Sequence, residues 1–427
     1  MHYLVSQSRL QGEVLVPPSK SHTLRAILFA SLATGKSTIH SYLESPDTNA
    51  MISACRQLGA KIKKTDLSLI IEGVASSPST PKNVIDAGNS GQVLRFISAI
   101  ASLIPGYTVV TGDQSVRENR PISPLLSGIN QLGAFAESIS GTGYAPVKIC
   151  GPLLGGVASI EGSDSQPVSG LIMAAAFSSQ VSEIHVVNPG EKPWVDLTLA
   201  WLDKLNIPYE REGYEVYRLF GNARYSGFDY TVPGDFSSAA FPMVAALLTG
   251  SSLTLNNLSM TDVQGDKAII TILKDMGANI EIDEINHQIK VLKSPFLKGM
   301  KFDINHCIDA IAILSVIACF ALGETQISGA AIARKKESDR ISVMAGELRK
   351  MGANIKETED GLIIRQSSLN AAVLESHGDH RVAMALTIAA MTLKSESKIN
   401  HVECVNKSYP LFHEVMQSLG AHVLMKA

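Results

Sequence analysis

The chain has 427 residues, 45% hydrophobic and 18% charged; this is the composition of a globular protein of more than one domain and excludes a disordered or fibrous one. Its 37 Lys and Arg against 40 Asp and Glu leave a formal charge of -3, which excludes a global electrostatic hold on nucleic acid or an anionic membrane. Five scattered cysteines, Cys55, Cys150, Cys307, Cys319 and Cys404, form no CxxC pair, which argues against a disulfide framework or zinc site and fits a reducing cytoplasm.

The opening MHYLVSQSRLQGEV lacks the charged-then-apolar order of a signal peptide. VPPSKSHTLRAILFASLATG, residues 16–35, reads as a proline-marked turn entering an apolar helix, with Lys20, Ser21 and Arg25 at its start. The next stretch, ATGKST, ends like a P-loop. That pattern needs a glycine at position 30, which is Ala30, and a preceding strand instead of a helix, so Thr34 and Gly35 are read as a helix end.

At residue 57 a phrase begins that returns along the chain: QLGAKIKK, then QLGAFAES at 131, DMGANIEI at 275, KMGANIKE at 350 and SLGAHVLM at 418. DKLNIPYE at 203 is a degenerate copy, with Asn206 in the glycine's place. The key positions 59, 133, 206, 277, 352 and 420 define six units of roughly 70 residues. Apolar residues upstream recur at i, i+4, i+7, as in Met51, Cys55 and Leu58, which is the period of a half-buried helix. The glycine then stands where a helix end takes a left-handed residue, and a strand follows. Asparagine is a residue able to replace it there.

Each unit also holds an earlier apolar helix with a small or polar start, near residues 21, 91, 165, 237, 309 and 380. IDAIAILSVIACFALG at 308–323 is the most apolar of these. It is shorter than the ~20 residues of a membrane span and carries Asp309, so it reads as a buried core helix. Six such starts offer unpaired N–H groups and positive dipole ends. Lys20, Arg25, Arg95 and Arg381 stand at these starts, and capping does not require them. If the starts face one cleft, they form an anion site for more than one charged group.

The basic clusters are PPSKSHTLR at 17, AGNSGQVLR at 87, RENRP at 117, ARKKESDR at 333, GDHR at 378 and VNKSYP at 405. His22, His377 and His380 have no second ligand at H-x-x-x-H spacing, so no metal is expected. PPSKSHTLRA, GNSGQVLR, ENRP, KKESDR, GDHRVAMA and NKSYP, in this order within six repeats, resemble the 5-enolpyruvylshikimate-3-phosphate synthase family over essentially the whole chain.

The resemblance implies an α/β fold, a two-domain inside-out α/β barrel of six βαβαββ-type repeats, three per domain. It implies an N-terminal domain at 19–228, a C-terminal domain made of 1–18 plus 229–427, and an active site in the cleft between them, with domain closure on binding. PPS and SGFDYTVPG are read as the hinges. The implied reaction transfers the enolpyruvyl group of phosphoenolpyruvate to the 5-hydroxyl of shikimate 3-phosphate and releases phosphate. No cofactor, metal, nucleic acid or membrane is implied, and the chain is expected to be a cytoplasmic monomer.

By the same resemblance Lys20, Ser21, Arg25, Ser165, Gln166, Asp309 and Lys336 are expected to bind shikimate 3-phosphate. Lys20, Asn89, Gly91, Arg120, Gln166, Arg340, Arg381 and Lys407 are expected to bind phosphoenolpyruvate. Lys20, Asp309 and Glu337 are the expected proton-transfer residues, since one hydroxyl must lose a proton and one enol carbon must gain one. Read without the resemblance, Asp309 would cap the apolar helix and Glu337 would be a first-turn carboxylate. Gln92, Asp164, Glu191 and Ile332 depart from the family pattern, and the sugar-phosphate subsite is affected most. The alternatives are the sister enzyme acting on UDP-N-acetylglucosamine and a non-catalytic anion-binding protein on the same scaffold. Lys20–Ser21 and the cysteine-free loop SVRENRPIS speak against the sister enzyme.

Overall fold

The computed structural model describes residues 1–427 and contains six four-stranded sheets. All six share one pairing scheme, which Gly156–Glu161 and its partners illustrate. That strand runs parallel to Ser182–Val187, which pairs antiparallel with Val216–Leu219, which pairs antiparallel with Tyr209–Glu212. Parallel neighbours need a crossover, and the helix Ser165–Ala175 supplies it. A second helix, Lys192–Lys204, leads to the hairpin. The unit is therefore βαβαββ, as expected.

The helix-stop phrase behaves as its chemistry requires. Gly59, Gly133, Asn206, Gly277, Gly352 and Gly420 all have φ between 53° and 107°, and a strand begins within a few residues of each, for example Lys61–Lys64 and Asn279–Asp283. The two helices of a repeat differ in burial. In Lys20–Leu32 eleven of thirteen residues are buried, whereas Pro46–Gln57 buries six of twelve. The first kind of helix is interior and the second presents one face to solvent. Strands alternate buried and exposed residues, as in Ser182–Val187, so each sheet packs one face on these interior helices.

The chain forms two compact units, Pro18–Val232, and Met1–Pro17 with Pro233–Ala427. Each has its own apolar core. In the first unit, Asp229–Thr231 pairs with Lys36–His40 and completes the sheet of the first repeat. That stretch belongs with the N-terminal unit, a few residues beyond the boundary expected from the sequence. In the second unit, Gln11–Leu15 pairs with Ser252–Asn256, and His2–Ser6 lies between Ser397–Asn400 and His422–Lys426. Pro18–Val232 is thus inserted between a strand, Gln11–Leu15, and its crossover helix, Phe236–Leu248.

Interior helices begin at Lys20, Gly91, Ser165, Phe236, Ile311 and His380. The fifth departs from expectation: Asn305–Ala310 is a 3-10 turn broken at Cys307, and Asp309 lies in it without capping the α-helix. Ile311–Phe320 is almost wholly buried, as a core helix should be, and no helix is long and apolar enough to cross a membrane.

Candidate active site

In the N-terminal unit most of the sequence-predicted side chains sit at or near the starts of three interior helices. Ser19, Ser90 and Asp164 cap them, accepting from His22 N, Val93 N and Gln166 N. Those caps fix the backbone just where Lys20 and Ser21, Gly91 and Gln92, and Ser165 and Gln166 begin. Gln92 Nε2 donates to Ser21 Oγ at 3.3 Å, and Arg95 Nη1 donates to Gln166 Oε1 at 2.7 Å. A Cβ on Gly91 would stand 3.0 Å from Arg95 Nη1, 3.5 Å from Gln166 Oε1 and 3.8 Å from Arg120 Cδ. Glycine therefore leaves an open backbone surrounded by cationic and amide groups. Arg120 is buried directly after the short helix Gln114–Asn119.

Lys20 Nζ lies 3.4 Å from Asp47 Oδ2, which also accepts from Ser90 Oγ at 3.0 Å. Asn89 Nδ2 donates to Asp113 Oδ2 at 2.6 Å. Arg25, 1% exposed, donates to neutral oxygens only: Thr198 Oγ1 at 3.0 Å, Trp194 O at 3.2 Å and Ser21 O at 3.3 Å. Its guanidinium lies over the Phe96 ring. Burial lowers its pKa to about 9, the signature of a cation that an anion would stabilise.

In the C-terminal unit Arg340 is the hub. It starts the helix Arg340–Lys350, capped by Asp339. Its three nitrogens donate to Asp379 Oδ2 at 2.8 Å, Asp309 Oδ1 at 2.5 Å and Glu337 Oε2 at 2.6 Å. Lys407 Nζ reaches Glu337 Oε1 at 2.8 Å, and Arg381 Nη2 reaches Asp309 Oδ2 at 3.0 Å. Burial would raise the Asp309 pKa, but Arg381, Arg340 and Lys336 outweigh it and hold the carboxyl far below its ordinary range. Arg340, although burial opposes its charge, is held more firmly protonated by Asp379, Glu337 and Asp309. Lys336, Arg340, Arg381 and Lys407 set against Asp309, Glu337 and Asp379 leave one positive charge in excess. Glu337, Asp379 and His380 have ligand atoms within 4.8 Å of one another, yet the Arg340 guanidinium already donates to both carboxylates.

The sequence-predicted residues therefore fall into two clusters. Lys20, Ser21, Arg25, Asn89, Gly91, Arg120, Ser165 and Gln166 belong to the first unit, and Asp309, Lys336, Glu337, Arg340, Arg381 and Lys407 to the second. Glu337 precedes the helix and is not in its first turn. Reasoning from cations misses Asp47; it reads Asp379 as a helix cap beside a cation, which it is, accepting from Arg381 N, and Asp164 as a departure from the family pattern, without seeing that its Oδ2 lies 3.0 Å from Arg95 Nη2. The available signal was repeat position, since Asp47 and Glu191, both at second-helix starts, are 144 residues apart, two repeat lengths (191 − 47). Glu191 accepts from Ser165 N at 3.0 Å and Ser165 Oγ at 3.2 Å.

Six βαβαββ repeats with paired carboxylates among buried cations define a class of α/β enzymes that handle small polyanions. The family model for EPSP synthase (3-phosphoshikimate 1-carboxyvinyltransferase) matches residues 4–416. Curated 3-phosphoshikimate 1-carboxyvinyltransferases are similar along nearly all of the chain. That of Acetivibrio thermocellus is 44% identical over 419 residues, 98% of each chain, and that of Chlamydia caviae 45% identical over 424 residues, 99% of this chain and 94% of its own. The structure of EPSP synthase from Acinetobacter baumannii superimposes with a TM-score of 0.84 at 29% identity, covering all of both chains. The chain belongs to the EPSP synthase family.

Proposed function

We propose that the chain transfers the enolpyruvyl group of phosphoenolpyruvate to the 5-hydroxyl of shikimate 3-phosphate, with release of phosphate. The observation that carries this reading is the Arg340 hub, where two carboxylates, Asp309 and Glu337, share one guanidinium and are flanked by Arg381 and Lys407. Both substrates are polyanions, and each like-charge pair at 4 Å opposes binding by about 4 kcal/mol at an effective dielectric of 20. Buried cations are what such a pair of ligands requires. Arg120, Arg340, Arg381 and Lys407, with Asn89, Gly91 and Gln166, engage phosphoenolpyruvate, the arginines as planar forks on its oxyanions. Ser21, Arg25, Ser165, Gln166, Asp309 and Lys336 engage the sugar phosphate, and Lys20 engages both.

Glu337, in its protonated form, gives the methylene carbon its proton and is left as a carboxylate held by Lys407 and Arg340. Asp309, kept ionised by its two arginines, accepts the hydrogen bond of the 5-hydroxyl. Its low basicity makes orienting that hydroxyl its main work, with Lys20 the further route for the proton. The product bond forms from the hydroxyl oxygen to the enol carbon as the hydroxyl proton leaves by way of Lys20; the tetrahedral adduct expels phosphate, which carries that proton away, when the methyl proton returns to Glu337 and restores the acid.

The test is phosphate release from phosphoenolpyruvate with shikimate 3-phosphate, with UDP-N-acetylglucosamine, and with neither. Release only with the first is expected. Release only with the second would make the chain the sister enzyme, and no release with either would make it a binding protein. Glu337→Gln is expected to lower kcat by about a hundredfold or more, the usual share of a general acid, with a smaller change in phosphoenolpyruvate affinity. Lys20→Met is expected to abolish detectable turnover while the thermal transition persists; near-normal activity would remove Lys20 from the mechanism.

A further inference from the structure

The start of the Ser165–Ala175 helix carries two carboxylates where one suffices. Asp164 is the ordinary cap: it accepts from Gln166 N at 3.0 Å, and Arg95 balances its charge. Glu191 arrives from elsewhere, 3% exposed, and takes both donors of Ser165, the amide and the hydroxyl. Exposed N–H groups at a helix start, together with the positive end of its dipole, form an anion position. Here a side chain of the protein fills it.

The backbone that delivers Glu191 is specialised for this approach. Gly190 N donates to Gly162 O at 3.0 Å, and a Cβ on Gly190 would stand 2.6 Å from Ser163 O, so no larger residue fits so close to the helix start. Glu191 itself takes φ 44° and ψ 39°, a left-handed conformation that is strained for a residue with a long side chain. A strained backbone held against a tight glycine contact is more than a helix cap needs, since Asp164 already fills that place.

We propose that Glu191 is a specificity-determining residue, an internal competitor for the Ser165 donors. The inference rests on the reading that Ser165 helps to bind the phosphate of shikimate 3-phosphate. One amide hydrogen cannot serve a carboxylate and a phosphate oxygen equally, so the ligand must displace Glu191 to use it. A ligand that is also held by Ser21 and Arg25 can do so, whereas free inorganic phosphate, a product of the reaction, gains too little. Glu191 thereby weakens the binding of every anion at this position, so the acceptor, held elsewhere as well, still binds while bare anions fall below useful affinity, an added repulsive element that acts as a threshold.

The experiment is steady-state kinetics of full-length Glu191→Gln and Glu191→Ser, with inorganic phosphate as inhibitor and thermal melting as the control for folding. Glutamine keeps an acceptor for the Ser165 amide and removes only the charge. The expected result is a fall in KM for shikimate 3-phosphate of about fivefold, larger than any change in kcat or in KM for phosphoenolpyruvate. Phosphate should also compete with shikimate 3-phosphate at concentrations about fivefold lower than in the parent enzyme. Where either variant melts early, Glu191→Asp, which withdraws the charge by one methylene, should shift KM in the same direction by a smaller factor. An unmoved or raised KM for shikimate 3-phosphate, with phosphate inhibition unchanged, in the variants that melt normally overturns the proposal and leaves a purely structural cap. If the parent enzyme does not use shikimate 3-phosphate at all, the functional reading fails instead.

Discussion

Arg25 is a guanidinium surrounded by neutral oxygens and an aromatic ring, and its depressed pKa has a measurable consequence. Burial works against its charge, and an anion bound beside it would relieve that cost. Arg25→Gln is therefore expected to raise KM for shikimate 3-phosphate with little change in KM for phosphoenolpyruvate, and an unchanged KM for shikimate 3-phosphate would remove Arg25 from phosphate binding. Asp309 has the opposite sign. Its folded pKa is depressed, so its contribution to stability is present above the ordinary value of 3.8 and is lost as the pH falls below it. Asp309→Asn should lower stability at pH 7 by about 2 kcal/mol, the usual worth of a hydrogen bond to a charged group, because Arg381 loses its carboxylate while Arg340 keeps Asp379 and Glu337, and it should flatten the acid limb of a denaturation profile below pH 4. At this scale the cations were legible in the sequence as clusters at helix starts. Their partners were not, because Asp379 lies 39 residues from Arg340, a distance that only the folded chain closes.

The helix stop is where local sequence and local structure agree best. A left-handed residue is a requirement of the backbone at one position, so Gly59, Gly133, Gly277, Gly352 and Gly420 announce themselves without any tertiary information. Asn206 is the informative copy, holding φ 53° with a side chain present. Asn206→Ala is expected to lower unfolding stability by about 1 kcal/mol, whereas Asn206→Gly should change the denaturation midpoint by less than half as much; equal effects would show that the side chain, and not the backbone, matters there. The fifth interior helix was read less well. Its apolar run was plain, but the 3-10 turn at Asn305–Ala310 arises where Cys307 leaves helical angles, and nothing in the residue pattern marks that break.

Each unit has three sheets and a separate apolar core, so the excised segment 18–232 is expected to unfold in a single cooperative transition. A version ending at 228 lacks Asp229–Thr231, the partner of Lys36–His40, and should melt several degrees lower; identical melting would mean that this edge strand adds nothing. The repeat number and order were legible because each repeat carries its own signals. The strands that close the two end sheets were not, since a short strand does not disclose a partner hundreds of residues away. The insertion of one unit within the other also sets a timetable during synthesis. His2–Ser6 leaves the ribosome early, yet its neighbours Ser397–Asn400 and His422–Lys426 follow roughly 20–80 s later at 5–20 residues per second. Pro18–Val232 can mature in that interval while an apolar ribbon with two unsatisfied edges waits beside it. Newly made chains are therefore vulnerable to clumping at this strand until its neighbours emerge, and Val5→Lys within it should slow maturation of the second unit while sparing the first.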